Sequence, residues 1–279
     1  MSKGGAVSTY PPTGGPVDRP RVRMALRRWG LTIAVFAAFA AFAACPALAA
    51  PAGAQVAYVA NFDGTVSVID TATNKVTATI EVGGGPIGIA ITPDGEHAYV
   101  VRFNDDSVSV IETATNTVTD MMAVGDEPRT IAITPDGTRA YVTNQADDIV
   151  SVIDTATNTI IDTITVGDEL IGIASTPDGA QVYVVNWLGE NVSVIDTETN
   201  TVTDTIASGS DSRPIEVAIA PDGTRAYVGN SQHDTVSVID TATNTIIDTV
   251  SVGDFPRAIT VTPDGAHAYV ANWLGETSR

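Results

Sequence analysis

Short apolar runs fill the chain from residue 56 onward. Val, Ile, Thr and Tyr recur in brief stretches, and Gly, Pro, Asn and Asp separate these stretches from one another. In one unit the stretches are residues 89–92, 98–101, 108–111 and 117–120. Because this composition and these boundaries are typical of β-strands, the pattern predicts four short antiparallel strands in each unit.

The units repeat with a nearly constant period. Six tyrosines, each followed by valine, lie 41, 42, 42, 44 and 42 residues apart, at Tyr58, Tyr99, Tyr141, Tyr183, Tyr227 and Tyr269. Four antiparallel strands that recur at this interval are typical of a β-propeller blade. We count three strands before the first full unit, four units of four strands and two strands after the last, 21 in total. The sequence therefore predicts an all-β propeller of about five to six blades, of which the last is incomplete.

Two turns recur almost unchanged, and in a blade both lie at the same end of the strands, which we call the turn face. The first is Thr-Pro-Asp-Gly, as at 134–137, where proline sets φ and glycine supplies the positive φ that closes a hairpin. The second is Asp-Thr-Ala-Thr-Asn, as at 154–158, where aspartate binds backbone amides and asparagine tolerates a left-handed backbone. Because each turn has a structural explanation, we expect no ligand at either.

At this point a family resemblance is visible. The motifs Ala-Tyr-Val-x-Asn, Val-Ser-Val-Ile-Asp-Thr-x-Thr-Asn and Ile-Ala-Ile-Thr-Pro-Asp-Gly resemble the YVTN-type β-propeller repeat, and residues 141–144 read Tyr-Val-Thr-Asn. The resemblance covers residues 55–276. It implies a propeller fold and a secreted or surface protein of bacteria or archaea, and it implies no particular reaction because the roles of such proteins vary.

The closure of the ring has two open interpretations. In one, the strand predicted at 258–262 joins the three strands at 56–80 and closes a five-bladed ring. In the other, the chain forms an open arc or is a fragment of a longer propeller. Residues 272–276 copy residues 186–190, and the sequence then ends before the next expected strand, so we expect a truncated last blade.

Residues 1–49 have the features of an export signal. An apolar run of 14 residues at 31–44 directly follows Arg27 and Arg28, and residues 47–49 read Ala-Leu-Ala. A positive segment, a short apolar segment and a small-x-small site make up a secretory signal peptide. We therefore expect a signal helix that is cleaved after residue 49, and a secreted or cell-surface protein.

Alternatives for this segment stay open. The apolar run is an uncleaved membrane anchor in one of them, and in another Cys45 is lipidated as in a bacterial lipoprotein. Met24 is an alternative start, in which case residues 1–23 are untranslated or disordered. In each case residues 50–279 form the propeller domain, and contact with a membrane is expected only through the N-terminal segment.

The charge of the chain excludes one class of partner. The formal net charge is −19, and setting aside the six basic residues and the one acid before residue 50 leaves 8 basic and 32 acidic residues, a net charge of −24. A surface of this sign repels nucleic acid and anionic membranes. Cys45 is the single cysteine, so the predicted propeller domain contains no disulfide and no cysteine metal ligand.

The opposite end of the strands, which we call the loop face, carries the connections that vary between units. These connections join the second strand to the third and one blade to the next. Aromatic and arginine side chains on loops are typical of a binding surface. The candidate ligand-binding residues are Phe103, Arg129, Trp187, Arg213, Arg257 and Trp273. Two alternatives stay open: the aromatics cap the packing between blades, and the arginines pair with neighbouring acids such as Asp126, Glu127 and Asp254.

Motifs for catalysis or for tightly bound metals do not stand out. The histidines, His97, His233 and His267, are scattered, so we predict no metal site and no cofactor. The leading hypothesis is a non-enzymatic binding scaffold with an unknown protein or glycan partner at its loop face. The alternatives are a propeller enzyme of the lactonase or quinoprotein type, and a fragment of a longer propeller.

Overall fold

A computed structural model describes residues 56–273 of the chain. The expected signal peptide at 1–49, together with residues 50–55 and 274–279, lies outside the described residues. Among the residues that are described, no helix is long and apolar enough to cross a membrane.

The described residues form six antiparallel sheets, which we call blades 1 to 6. Blade 1 has three strands, blades 2 to 5 have four each, and blade 6 has two, all in sequence order within their sheet. The strands of blades 1 and 2 are β1 (Val56–Asn61), β2 (Thr65–Asp70), β3 (Lys75–Glu81), β4 (Pro86–Ile91), β5 (His97–Arg102), β6 (Ser107–Glu112) and β7 (Thr117–Ala123). Those of blades 3 and 4 are β8 (Pro128–Ile133), β9 (Arg139–Asn144), β10 (Ile149–Asp154), β11 (Thr159–Thr165), β12 (Leu170–Ser175), β13 (Gln181–Asn186), β14 (Asn191–Asp196) and β15 (Thr201–Ala207). Those of blades 5 and 6 are β16 (Pro214–Ile219), β17 (Arg225–Asn230), β18 (Thr235–Asp240), β19 (Thr245–Ser251), β20 (Pro256–Val261) and β21 (Ala268–Asn272).

The prediction of an all-β propeller with repeated four-stranded blades is confirmed, and the described strands are the 21 that the repeat predicts. Of the two open interpretations, the one in which the strand at 258–262 joins the three strands at 56–80 is wrong for the described residues. That strand, β20, pairs with β21 in a sheet of its own, whereas β1, β2 and β3 form a separate sheet. The reason is local, because the Thr-Pro-Asp-Gly hairpin that follows β20 brings β21 directly onto its edge.

The core lies between the blades. Successive inner strands β4, β8, β12, β16 and β20 are neighbours, so the sheets stack face to face around the centre. One of the four described clusters joins blades 3 and 4 through Tyr141, Val150, Val152, Ile164, Leu170, Ile173, Val182, Val184 and Ile195. Burying a side chain of this size contributes about 1.5–3 kcal/mol, so these interfaces dominate the stability of the fold.

A hydrogen bond joins each of these interfaces to the turn face. The tyrosine of one blade donates its hydroxyl to the asparagine that ends the second turn of the next blade. The four pairs are Tyr58–Asn116 (3.2 Å), Tyr99–Asn158 (2.6 Å), Tyr141–Asn200 (3.1 Å) and Tyr183–Asn244 (2.6 Å). The recurring tyrosine is therefore both a core residue and a link between neighbouring blades.

The turns of this face close through their own hydrogen bonds. In the turn of blade 3, the Thr134 hydroxyl donates to Asp136 at 2.6 Å and the Gly137 amide donates to the Thr134 carbonyl at 2.8 Å. Gly137 has φ 73°, a conformation that L side chains rarely adopt. In the second turn, Asp154 accepts from the Thr157 amide at 2.8 Å and Asn158 has φ 53°. The roles predicted for aspartate, asparagine and glycine in both turns are confirmed.

Candidate functional site

A hydrogen bond from a backbone amide to an aspartate recurs on the loop face, just before the inner strands. The residue directly before the inner strand has a left-handed backbone in blades 3, 4 and 6, at Glu127 (φ 52°), Glu169 (φ 58°) and Phe255 (φ 57°). The amide of each donates to an aspartate in the preceding blade, namely Asp106 (3.0 Å), Asp148 (2.8 Å) and Asp234 (2.8 Å). These three aspartates on the loop face therefore hold backbone, and they also fix where the next residues point.

The six candidate residues of the loop face form three arginine–aromatic pairs. The guanidinium carbon lies over the ring at 5.3 Å for Arg129 and Phe103, at 4.9 Å for Arg213 and Trp187, and at 4.2 Å for Arg257 and Trp273. At these distances the positive charge is attracted to the electron-rich face of the ring. In the first two pairs the arginine and the aromatic residue come from adjacent blades, so the contact joins two blades.

Arg129 lies among polar groups as well as over its ring. Its Nε donates to the Oε1 of Gln145, and the Nε2 of Gln145 donates in turn to Glu169 of the next blade. Burial lowers the pKa of Arg129, while the charges of Glu127 and Glu169 act in the opposite direction. This chain of contacts holds the arginine at the start of β8, on the loop face.

Arg257 is the equivalent residue at the start of β20. Burial lowers the pKa of Arg257, and the positive charge of Arg129 lowers it further. The two positive charges therefore oppose each other. Trp273 under Arg257 is 53% exposed, and the Phe255 ring packs edge-on against it at a centroid distance of 6.3 Å.

Arg213 belongs to the inter-blade connection at 208–214, which is two residues longer than its counterparts. It has a left-handed backbone with φ 50°, and its carbonyl accepts from the Ser231 hydroxyl at 2.8 Å. The guanidinium contacts the half-buried ring of Trp187. The longer connection thus places this arginine over the loop of the preceding blade.

Acidic partners for these arginines are not found in the described structure. The ion pair that forms there joins Arg102 and Asp105 in blade 2. None of Arg129, Arg213 and Arg257 forms an ion pair with another described residue. Direct ion pairing of these arginines with neighbouring acids is therefore not what this geometry shows. The charges of Glu127 and Glu169 act on Arg129 without an ion pair, and aromatic rings lie against the guanidinium groups.

The aromatic side chains of the loop face are partly packed and partly exposed. Phe62 and Phe103 lie with ring centroids 6.5 Å apart, so they do cover the junction of blades 1 and 2. Yet Phe62 is 60% exposed, and Phe103 and Trp187 are half-buried. The rings therefore cap the blade junctions and leave part of their surface open to solvent.

Glu216 is a candidate that the sequence reasoning missed. It is the third residue of inner strand β16, where the other blades have Gly88, Thr130, Gly172 and Ala258. Burial raises the pKa of Glu216 to about 7, and its carboxylate accepts a hydrogen bond from the Val217 amide at 3.3 Å. The available signal was this departure from small residues, because the repeat otherwise keeps bulk away from the centre.

Arg102 is a second departure, and it has a structural role. It replaces the asparagine that in blade 3, as Asn144, donates to Ser151 at 2.9 Å. The guanidinium fits because a Cβ on Gly84 would lie 2.6 Å from its Nε, so glycine is required there. Without the asparagine, the buried hydroxyl of Ser109 has no hydrogen-bond partner among the described residues.

Metal-ligating groups do not gather in the described part of the chain. No group of three or more His, Asp, Glu or Cys residues with ligand geometry occurs among residues 56–273. His97 begins β5 in blade 2, His267 directly precedes β21 in blade 6, and His233 lies in the loop of blade 5. The three histidines are thus on different blades.

The comparisons with known proteins agree with this architecture. The model of the family "Lactonase, 7-bladed beta-propeller" matches residues 54–161 and 173–277, which is well over half of the chain. The described residues of this chain form six sheets, of which four are complete. No curated protein sequence matches the chain.

Solved structures with a similar fold are numerous. One is Kuenenia stuttgartiensis hydrazine synthase, with a TM-score of 0.64 and 32% identity over 67% of this chain and 55% of that chain. The match thus spans little more than half of that protein. Another is a functionally unknown protein from Desulfotomaculum acetoxidans, with a TM-score of 0.68 and 23% identity over 75% of this chain and 70% of that chain. Because 1706 chains match in all, the fold by itself singles out no activity.

Proposed function

The chain belongs to the lactonase family of seven-bladed β-propellers, and we propose that it is a non-enzymatic binding propeller whose loop face holds an anionic group of a protein or glycan partner. One observation carries the proposal: Arg129, Arg213 and Arg257 each lie over an aromatic ring without an ion pair in the described structure. A guanidinium that stacks on a ring keeps the N–H groups at its edge available for a carboxylate, sulfate or phosphate.

The electrostatics of the arginines favour an anion. Burial lowers the pKa of Arg129 and of Arg257. The charges of Glu127 and Glu169 partly offset this for Arg129, and the charge of Arg129 adds to it for Arg257. Two partly desolvated positive charges near each other are stabilised when a negative group binds between or beside them. The domain as a whole carries −24 and repels anions at long range, so an anion that binds is held by direct contact.

The exposed ring surface adds a second requirement for the ligand. Trp273 and Phe62 are more than half exposed, and Trp187 and Phe103 are half-buried. An aromatic face next to a cation suits a ligand with an apolar or sugar surface beside its anionic group. We therefore propose an acidic peptide segment or an acidic glycan as the natural partner.

The test is calorimetric titration of the full chain with citrate as a carboxylate probe and with inorganic sulfate. We expect Arg129→Gln and Arg257→Gln each to weaken binding at least tenfold, since a hydrogen bond to a charged group contributes about 1.5–3 kcal/mol. Arg225→Gln is the matched control, because Arg225 begins β17 at the turn face. Equal affinity in all three variants, or an equal loss in the control, contradicts the proposal.

A second candidate function, hydrolysis of a lactone, is favoured by Glu216. A carboxyl group with a pKa of about 7 is suited to act as a general base near neutral pH. We expect that, if this candidate is correct, the full chain hydrolyses γ-butyrolactone at a rate that rises as pH increases through about 7, since the ionised form is the base. Glu216→Gln then abolishes the reaction and Glu198→Gln on the turn face retains it. A rate equal to that of buffer alone removes this candidate and leaves the binding proposal standing.

A further inference from the structure

The turn face contains a groove between blades 4 and 5 that the proposed function does not use. Its volume is about 380 Å³, and its walls are the turns of the two blades. The lining includes Asp178, Gln181, Asp222, Asp240 and Thr241. The groove is therefore polar and acidic, and it lies at the opposite end of the strands from the three arginine–aromatic pairs.

The corresponding position one blade earlier is filled by the chain itself. Between blades 3 and 4, Arg139 extends from the start of β9 across to the turn of the next blade. Its Nη1 donates to the carbonyl oxygen of Thr197 and, at 3.4 Å, to the Oδ1 of Asn200. The same chain thus shows how a guanidinium is held between two turns of this kind.

The groove between blades 4 and 5 has the acceptors but lacks the guanidinium. Gln181 occupies the position of Arg139, and Thr241 and Asn244 occupy the positions of Thr197 and Asn200. Gln181 is shorter and neutral, and its Oε1 accepts from the Tyr183 hydroxyl at 3.3 Å. The Thr241 carbonyl accepts no hydrogen bond from the residues that are described.

Three carboxylates around the groove have a free oxygen. Asp178, Asp222 and Asp240 each accept hydrogen bonds from their own turn through Oδ1, and their Oδ2 atoms accept none from the described residues. Hydrogen bonds from Thr224 lower the pKa of Asp222, and the charge of Arg225 lowers it further. No ion pair joins Arg225 to any of the three among residues 56–273.

The charges that act on the buried tyrosines, Tyr141 and Tyr183, differ between the two blades. Burial raises the pKa of Tyr183 to about 12, and Asp204, Asp240 and Asp178 raise it as well. Burial also raises the pKa of Tyr141, but there Arg139 acts in the opposite direction. Aspartates thus raise the pKa of Tyr183 without the opposing charge that Arg139 supplies at Tyr141.

We propose that this groove binds an arginine side chain presented by a partner protein. The planar guanidinium fork matches a carbonyl, an amide oxygen and flanking carboxylates, whereas an ammonium group does not reproduce that geometry. The contacts that Arg139 makes define the expected pose. The charge of −24 on the propeller domain favours the approach of a basic partner.

The experiment is an NMR titration of the full chain with N-acetylarginine amide, with N-acetylcitrulline amide as its neutral counterpart. We expect one site per chain with a dissociation constant on the order of 1 mM, as befits a single side chain. Citrulline has nearly the same shape without the charge and is expected to bind at least tenfold more weakly. Equal binding of the two compounds overturns the proposal. No binding of the arginine probe at about 50 mM, which is 50-fold above the expected dissociation constant, also overturns it.

Two substitutions change the number of sites in opposite directions. Gln181→Arg supplies the groove with the chain's own guanidinium and is expected to abolish binding of the probe. Arg139→Gln opens the equivalent groove between blades 3 and 4 and is expected to give two sites per chain. Near-ultraviolet circular dichroism checks that both variants are folded, and Gln181→Arg alone suffices for the decision. Unchanged binding in folded Gln181→Arg contradicts the proposal, whatever the loop-face arginines do.

Discussion

The two ends of the strands in this protein join neighbouring blades in different ways. At the turn face, hydroxyls, carboxylates and amides bind one another in the same pattern in blade after blade, as in the Tyr141–Asn200 bond. At the loop face the joints differ between blades and consist of arginines over aromatic rings, such as Arg213 over Trp187. The tyrosine–asparagine joints pair their own polar groups, whereas the arginine–ring joints leave guanidinium edges and ring faces open to a ligand.

In a nearly uniform repeat, function is expected at the positions where the blades differ. A position that is satisfied within each blade is explained by the fold, whereas a position that varies is free to acquire a role. The turn face also varies at one position, where blade 3 has Arg139 and blade 4 has Gln181. Local departures from the repeat therefore mark both proposed sites.

The largest expected effect comes from the joint nearest the turn face. Tyr141 is fully buried, so Tyr141→Ala is expected to lower the free energy of unfolding by about 3–5 kcal/mol, as for other large aromatic residues in cores. Urea unfolding measures this loss. Tyr269→Ala is the matched control with little expected effect, because Tyr269 is 63% exposed. If Trp187→Ala on the loop face costs as much as Tyr141→Ala, the two kinds of joint are not distinct.

An intermediate effect on the free energy of unfolding is expected when the pH is lowered. Hydrogen bonds, first among them one from the hydroxyl of Thr134, lower the pKa of Asp136 below its ordinary value, and the pKa values of Asp94 and Asp178 are lowered in the same way. A lowered folded-state pKa stabilises the protein above the unfolded pKa of about 3.9, and this stability is lost as pH falls through the folded value.

We therefore expect the free energy of unfolding to decrease below about pH 4, with these turn aspartates contributing to the slope. Asp136→Asn is expected to be less stable at pH 7 and less sensitive to acid, and Thr134→Val is expected to reduce the slope in part. Urea unfolding at pH 7, 4 and 3 measures both variants. A slope that is the same in Asp136→Asn as in the parent protein would mean that other groups control acid unfolding.

The smallest effect on stability is expected from the loop face. Arg213→Gln removes one half-buried arginine–ring contact, which contributes about 0.5–1 kcal/mol. The intrinsic fluorescence of Trp187 is expected to change with it, since the charge over the indole is lost. A decrease in the free energy of unfolding of more than about 2 kcal/mol would show that the main role of this pair is structural. Such a result would count against a binding role.

Much of the fold was predictable because its determinants are local. Asp136 and Gly137 lie within one short turn, and their hydrogen bonds and positive φ follow from residue type alone. The contact between Tyr141 and Asn200 was not predictable, since 59 residues separate the partners and only the stacking of blades brings them together. The pairing of β20 with β21 is, by contrast, local, because a short hairpin joins the two strands.

The candidate site was predictable in its residues but not in its contacts. The variable loops identified Arg129, Arg257 and Trp273, yet sequence proximity suggested pairing with adjacent acids. The aspartates of the loops bind backbone amides instead, as Asp148 does with Glu169, and the arginines lie over rings. Glu216 was overlooked because its importance depends on burial between inner strands, which a side-chain inventory does not reveal.

The blade, the strand count, the two turns and the face that varies could all be predicted from the amino-acid sequence. These features follow from period-2 alternation and turn chemistry within about 42 residues, a range over which local interactions decide. Only the tertiary structure decided which arginine meets which ring, and that Gln181 leaves open a groove that Arg139 fills one blade earlier. These contacts form between residues of neighbouring blades, and their geometry is set by how the sheets pack.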